Sequence, residues 1–321
     1  MPRPKILLTR HMPVPVEQRL AAAYDLQVNP HERPLTPVEL REAMAAFDAI
    51  CPNPSERFDA GVFATPEMTA RIVANYGVGF EHIDLAAAAA AGVAVTNTPD
   101  SVTEPTADLA LMLMLMVTRR AGEAERELRA GSWGGLRPGH MLGASLSGKL
   151  LGLVGFGRIA KATAGRARAF GLEIAYFSRN RAAPEVEARF NARYFGSLDE
   201  LLAAADIVSL HCPGGAETYH LIDAPRLARM KDGAVLINTS RGPVVDEAAL
   251  ADALAGGRIA AGLDVYEREP EVTHALLGLE NAVLLPHLGS ATLEARVAMG
   301  MEMADNLDAF FAGAAPPNRI A

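Results

Sequence analysis

Cysteine is scarce in this sequence. Cys51 and Cys212 are the two present, far apart and in no CxxC pair. That excludes a disulfide framework or a thiolate metal centre and points to a reduced, cytoplasmic protein. Long apolar runs are missing as well. The longest strongly apolar stretch, Leu109–Val117, has nine residues, whereas a bilayer span needs about 20. It reads as a buried helix. The N-terminal MPRPKILLTRHMP has too short an apolar run for a signal peptide. Positive charge is in deficit: the net charge is −8 and the pI is near 5.5. That argues against nucleic acid or an anionic membrane as a main partner, so any anion site must be a local gathering of basic groups. No HExxH, no closely spaced Cys/His set and no carboxylate loop suits a metal, and none is expected. Internal repeats and coiled-coil heptads are also lacking.

What is present is a sizeable core and room for two domains. Half of the 321 residues are hydrophobic. The chain is organised around Leu150–Gly171, LLGLVGFGRIAKATAGRARAFG. An apolar strand ends in Gly155-Phe156-Gly157-Arg158-Ile159-Ala160. A helix follows, with Ile159, Ala162, Thr163, Ala167 and Phe170 expected on one side. Strand, tight turn and helix in that order are the context of a dinucleotide fingerprint. Gly155 makes the turn, Gly157 lets the backbone approach a pyrophosphate, and Ala160 allows close helix–strand packing. The free N–H groups of the helix start hold phosphate.

Short apolar runs alternate with helical ones on both sides of this stretch. Ahead of it, strands are expected at 5–9, 25–28, 49–51, 71–76 and 93–96. Helices are expected at 16–24, from the N-cap Thr36 to Ala46, from Pro66 to Thr69, and at 83–91. One long helix, 105–130, then leads towards the fingerprint, apolar in its first half and charged from Arg119. Beyond it, about six strands to residue 285 make a complete doubly wound dinucleotide domain. The last segment, Ser290–Gly313, is an amphipathic helix with no strand of its own, for which the first domain is the natural host. The expected fold is α/β with two doubly wound parallel-sheet domains. A Rossmann-type cofactor domain (101–287) is inserted in a flavodoxin-like substrate domain (1–100 plus 288–321).

Ligands of such sheets gather beyond the carboxyl ends of the strands, and polar residues collect there. Asn238-Thr239-Ser240-Arg241-Gly242 follows one strand, Asp264-Val265-Tyr266-Glu267-Arg268-Glu269-Pro270 the next, and Pro286-His287-Leu288-Gly289-Ser290 the last. NTSRG, LDVYEREP and PHLGS, in order behind VGFGRIA, resemble the D-isomer-specific 2-hydroxyacid dehydrogenases. NYGVGFEHID and NTPDSVTEPTAD extend the likeness over nearly the whole chain. Within the family, NTPD…TEPTADLAL, FGRIA and YFSRN are most similar to glyoxylate and hydroxypyruvate reductases. No C-terminal regulatory domain of the kind found in some phosphoglycerate dehydrogenases is expected.

The resemblance implies Arg241, Glu269 and His287 as the catalytic set. Hydride arriving at a ketone builds charge on oxygen, and His287 is the candidate general acid. Glu269 would hold its other ring nitrogen, and Arg241 would grip carboxylate and keto oxygen with a planar fork. The plainer alternative is a surface ion pair and a loop histidine. The Gly77-Val78-Gly79 loop offers successive N–H groups, and in the family this loop binds the substrate carboxylate. Side-chain specificity is expected from Cys51–Pro54, Trp133–Leu136 and Met141. The family often has a second tryptophan where this chain has Leu136, an exchange that would admit a bulkier 2-oxo acid.

For the cofactor, an NAD-specific site places an acid about 20 residues after the first glycine. Here that strand end reads Tyr176-Phe177-Ser178-Arg179-Asn180-Arg181. Ser178 can donate to a phosphate and Arg179 and Arg181 can neutralise one, so NADP(H) is favoured, with NAD(H) as the alternative. Arg181 is the one more readily explained as a solvated charge. By resemblance, Thr106, Arg158, Ile159, Asn180, Cys212, Pro213, Thr239, Asp264 and Gly289 also line the cofactor. The expected protein is a cytoplasmic homodimeric NADPH-dependent reductase of a small 2-oxo acid. A dehydrogenase for a larger 2-oxo acid using NADH, or a cofactor-sensing corepressor, are the alternatives.

Overall fold

The computed structural model describes residues 3–321. Met1 and Pro2, which begin the stretch read above for a signal peptide, lie outside the described residues. Residues up to Val102 together with Ser290–Ala321 form one compact unit, and Thr103–Gly289 form another.

The first unit runs β1 (Lys5–Leu8), α1 (Val14–Ala23), β2 (Asp25–Val28), α2 (Pro37–Ala46), β3 (Ala49–Cys51), α3 (Ala60–Phe63), β4 (Ile72–Ala74), α4 (Leu85–Ala90) and β5 (Ala94–Thr96). Its strands are all parallel in the order β2-β1-β3-β4-β5, the flavodoxin-like winding. The three inner and edge strands β3, β4 and β5 are buried at every position, as befits a parallel sheet covered on both faces. Thr36 caps α2 as expected. Its hydroxyl accepts the Glu39 N–H at 3.3 Å, and the Glu39 carboxylate accepts the Thr36 N–H at 2.8 Å. The expected helical piece at Pro66–Thr69 is turn and extended chain instead. The helix there is α3, started by the Asp59 carboxylate accepting the N–H groups of Gly61 and Val62.

The second unit runs α5 (Thr103–Thr118), α6 (Ala121–Arg129), β6 (Leu150–Val154), α7 (Arg158–Ala169), β7 (Glu173–Phe177), α8 (Pro184–Phe190), β8 (Ala192–Tyr194), α9 (Leu198–Ala204), β9 (Ile207–Leu210), α10 (Ala224–Arg229), β10 (Val235–Asn238), α11 (Glu247–Ala255), β11 (Ala260–Leu263), α12 (His274–Leu277) and β12 (Ala282–Leu284). The sheet is parallel in the order β12-β11-β10-β9-β6-β7-β8. This is the doubly wound dinucleotide sheet with one strand, β8, beyond those expected.

Two expectations change here. The long helix is two helices, because Arg120 turns left-handed at φ 52°. The first, α5, is core: Ala110, Leu113 and Met114 have no exposed surface and pack with Leu151, Leu153 and Ile237 of the sheet. The second, α6, buries nothing. Finally, α7 buries Ala160, Thr163, Ala164 and Ala167, while Phe170 lies past the helix end and is 47% exposed.

The last helix, α13 (Leu293–Phe311), belongs to the first unit. Its Asp308 pairs with Arg19 and accepts the Tyr24 hydroxyl at 2.5 Å. Beyond it, Ile320 donates its N–H to the Val95 carbonyl at 2.8 Å, and Val95 donates to Ala321 at 3.0 Å. No helix among the described residues is long and apolar enough to cross a membrane.

Candidate active site

Register assembles the site of the second unit. Val154 is paired with Phe177 and Leu210, Asn238 with Leu210 and Leu263, and Leu263 with Leu284. The strands therefore stop level, and Gly155, Ser178, His211, Thr239, Asp264 and Leu285 emerge along one edge. All three polar segments singled out in the sequence leave from it.

The glycine turn has a clear division of labour. Gly155 has φ +90°, and a Cβ there would lie 2.9 Å from the His211 carbonyl carbon and oxygen. Only glycine meets both conditions. Gly157 is different: its φ is −78° and a Cβ would meet nothing within 4 Å. The space in front of it is open, and no side chain caps α7, so the first N–H groups of this helix face that space without a protein acceptor from the cap residue. A dinucleotide pyrophosphate fits such a start. Arg158 and Ile159 are the first residues of α7. At the same edge Thr239 Oγ1 is buried and unpartnered, a polar atom suited to a ligand hydroxyl or carbonyl.

The three catalytic candidates sit on loops locked to one another. Glu269 accepts the Tyr266 N–H at 3.0 Å through one oxygen and meets His287 Nδ1 at 2.7 Å through the other. Burial pushes the Glu269 pKa upward. The His287 hydrogen bond and charge, the Tyr266 N–H and the Arg241 charge outweigh it, and the carboxyl ends below its ordinary value. His287 itself has a left-handed backbone, φ 54°. Asp264 holds it there: its carbonyl accepts the His287 N–H at 2.9 Å, and its carboxylate accepts Leu288 N–H at 2.6 Å and Gly289 N–H at 2.8 Å. Thr106 Oγ1 adds a bond to the Gly289 carbonyl at 3.1 Å. Burial raises the Asp264 pKa, and the two N–H groups and His287 offset this only in part.

Arg241 is brought in by Asn238, whose side chain accepts the Ser240 N–H at 3.0 Å and donates to the Arg241 carbonyl at 2.9 Å. The next residue, Gly242, packs so tightly on the Glu269 loop that a Cβ would fall 1.8 Å from the Tyr266 carbonyl oxygen. The Tyr266 hydroxyl in turn donates to the Leu285 carbonyl at 2.9 Å, tying the β11 and β12 loops together. Asp264 as a backbone clamp, Gly242 and Tyr266 were not identifiable as supports from sequence, since their partners come from other loops.

At the end of β7, Ser178 is half-buried and Arg179 and Asn180 are exposed. Arg179 pairs with Glu217. Arg181 is committed elsewhere: it grips Glu187 through two nitrogens at 2.8 and 2.9 Å. Cys212 is half-buried, and burial pushes its thiol up to about 11. It is therefore no thiolate near neutral pH. The Pro213 carbonyl accepts the Thr218 hydroxyl at 2.7 Å. His211 is half-buried and its ring is held down to about 4 by desolvation, with Ser209 Oγ at 2.9 Å from it, a structural histidine. Trp133 is 52% and Leu136 94% exposed, both in the segment after α6. A cavity of about 570 Å³ in that region is lined by Arg120, Glu127, Arg137, His140 and Met141, and of the residues expected to set specificity it touches Met141 alone.

In the first unit the Gly77–Gly79 loop leaves β4. The Asn75 amide donates to the Gly77 and Gly79 carbonyls at 3.0 and 2.8 Å, and the Asn97 amide donates to that of Val78 at 2.9 Å. The N–H groups of Val78 and Gly79 make no hydrogen bond among the described residues. With its carbonyls taken, the loop presents an N–H edge suited to an anion. Cys51 has no exposed surface, and burial pushes its thiol up to about 12. It presents no surface for a lining role, whereas Asn53 is half-buried and Pro54 exposed. No group of acidic, histidine and cysteine side chains among the described residues is arranged to hold a metal.

Comparison with known proteins shows the family. Residues 111–289 match the family model of the D-isomer specific 2-hydroxyacid dehydrogenase NAD binding domain. A glyoxylate reductase of Thermococcus kodakarensis is 44% identical over 99% of this chain and 96% of its own. A glycerate dehydrogenase of Hyphomicrobium methylovorum is 36% identical over 98% of both. The crystal structure of an NADPH-dependent glyoxylate/hydroxypyruvate reductase from Sinorhizobium meliloti, in complex with NADP and malonate, superposes with a TM-score of 0.87. It is 37% identical and covers 99% of this chain and 97% of its own.

Two measurements follow from the site. Gly157→Ala, with open space around the new methyl, leaves stability unchanged to within about 1 kcal/mol yet weakens dinucleotide binding at least about tenfold. Gly155→Ala costs both. Equal nucleotide affinity in Gly157→Ala and wild type would show that no ligand approaches there. Acid titration reads the Glu269 cluster. Its lowered pKa means its stabilisation is complete above the ordinary carboxylate range, about 4.3, and drains as pH falls through the lower folded value. The melting temperature of wild type therefore falls more steeply below about pH 4 than that of Glu269→Gln.

Proposed function

The chain belongs to the D-isomer-specific 2-hydroxyacid dehydrogenase family, and on that premise we propose that it uses NADPH to reduce a small 2-oxo acid, glyoxylate or hydroxypyruvate, to the 2-hydroxy acid. The observation that carries this reading is the 2.7 Å contact of His287 Nδ1 with Glu269, at the sheet edge where the glycine turn also ends. The glyoxylate reductase and glycerate dehydrogenase relatives support the substrate class. A small 2-oxo acid has the carboxylate and carbonyl that the rest of the site is equipped to hold.

In this reading Arg241 forks onto the substrate carboxylate and C2 oxygen. In the first unit, the N–H groups of Val78 and Gly79 are the candidates for binding a carboxylate. A reduced nicotinamide, when bound, would supply a hydride to C2. Charge then accumulates on the C2 oxygen, where Arg241 stabilises it and the His287 Nε2–H delivers the proton. Glu269 keeps the proton-bearing ring aimed and compensates its charge. The carbonyl becomes C–H and O–H, with one hydride and one proton consumed. Thr106, Thr239 and Asp264 shape the nicotinamide end, and Arg158, Ile159 and the N-terminal N–H groups of α7 take the pyrophosphate.

The preference for NADPH rests on Ser178, Arg179 and Asn180 standing where an NAD-specific chain carries an acid, and on the Sinorhizobium relative named as NADPH-dependent. Two free thiols suit the reducing cytoplasm. A homodimer is part of the proposal, although most of α5 packs within its own unit. Among the exposed large apolar side chains, Leu128 at the end of α6 and Trp133, Leu136 and Leu142 in the segment between α6 and β6 are the candidate contact.

His287→Ala is expected to lose turnover by about 10²–10⁴-fold while still binding NADPH. Wild-type turnover in that variant would remove the assignment. With glyoxylate as oxidant, kcat/KM for NADPH over NADH should exceed one and should fall or invert in Arg179→Asp. Equal efficiency with both cofactors in the wild type would end the NADPH reading.

A further inference from the structure

We propose that Glu217 determines how strongly this site discriminates between phosphorylated and unphosphorylated adenosine ribose, by competing for Arg179. The inference rests on the reading of Arg179 as a 2′-phosphate ligand. The strand β7 ends without an acid, but the fold supplies one from another loop. Glu217 lies in the single-turn helix Ala216–Thr218 after β9, and its carboxylate accepts from Arg179 Nη1. Both side chains are 75% exposed.

The neighbouring basic group cannot take over. Arg181 is bound in two-pronged fashion to Glu187, which also accepts the Tyr176 hydroxyl at 2.6 Å. Its guanidinium lies 5.3 Å from the Tyr194 ring centre. The charge opposite a 2′-phosphate must then come from Arg179, and that charge is already half of an ion pair. Nor is Glu217 on a loose tail. Thr218 Oγ1 donates to the Pro213 carbonyl at 2.7 Å, and the Thr218 N–H donates to the Gly215 carbonyl at 3.1 Å, so the turn carrying Glu217 is braced.

Two consequences follow from charge alone. A 2′-phosphate reaching Arg179 has to displace a carboxylate and then sit beside it, at a separation well inside the screening length of about 8 Å at physiological salt. A ribose 2′-hydroxyl meets no such penalty, because a carboxylate accepts its hydrogen bond. Glu217 thus restores, from a different strand, part of the selection against phosphate that the acid at the end of β7 provides in NAD-specific sheets. Exposed ion pairs are individually weak, so the effect is a tuning of about three- to tenfold in affinity.

The test uses the full chain and two fragments, 2′,5′-ADP and 5′-AMP, with dissociation constants from calorimetry. Wild type is compared with Glu217→Gln, Arg179→Ala and the double variant, at low and at physiological ionic strength. Glu217→Gln should bind 2′,5′-ADP about three- to tenfold more tightly, with 5′-AMP unchanged or weaker. The gain should shrink with salt and vanish in the Arg179→Ala background. Unchanged 2′,5′-ADP affinity in Glu217→Gln, an equal gain for both fragments, or a gain that survives without Arg179 overturns the proposal. If Arg179→Ala binds 2′,5′-ADP as well as wild type, the phosphate reading of Arg179 itself fails, and Glu217 loses its role with it.

Discussion

Each oxygen of the Glu269 carboxylate has a separate task, and the arrangement of the second unit's loops depends on that division. One oxygen is pinned by the Tyr266 N–H and the other meets His287. A carboxylate fixed at one end can aim an imidazole at the other, whereas a freely rotating one would spend the same interaction on side-chain order. The pinning holds because three loops are packed without slack. Gly242 presses on the Tyr266 carbonyl, the Tyr266 hydroxyl reaches Leu285, and Asp264 takes three N–H groups of the His287 loop. The supporting bonds are mostly to backbone. This is how a site on loops acquires the rigidity of the sheet beneath it.

The strands were legible because most are short, largely apolar and separated by helices of opposite pattern. Asp25–Val28 and Ala49–Cys51 could be bounded to the residue, and the cap at Thr36 marked a helix start. Where the reading failed, the signal was absent or shared. Ala192–Tyr194 is three residues with an arginine in the middle, too short for any period to show. The break at Arg120 is carried by a residue with no special preference for the left-handed region, so nothing marked it. Phe170 shares the helical spacing of Thr163 and Ala167, yet the helix stops one residue before it.

The site divides in the same way. Residues that act from the ends of strands, such as Gly155, Arg241, Glu269 and His287, are found by position along the chain. Contacts between sequence-distant loops are not. Arg179 and Arg181 look equivalent in sequence, and only coordinates show that one is held by its own following helix and the other by the turn after β9. A net charge of −8 is likewise silent about local sign: acids that belong to the same surface already claim the basic groups intended for an anion.

The first unit is assembled from both ends of the described chain, and this governs the order in which the molecule can be made. Val95 finds its partners in Ile320 and Ala321, and α1 finds Asp308 on α13. On the ribosome, the opening hundred residues must therefore wait with part of their sheet edge and one helix face uncovered. Translation from Thr103 to Gly289 lasts on the order of 10–40 s at roughly 5–20 residues per second. The nucleotide-binding unit, contiguous in sequence, can close on itself during that interval. Its nascent neighbour is the species exposed to chaperones and to aggregation until the final helix emerges.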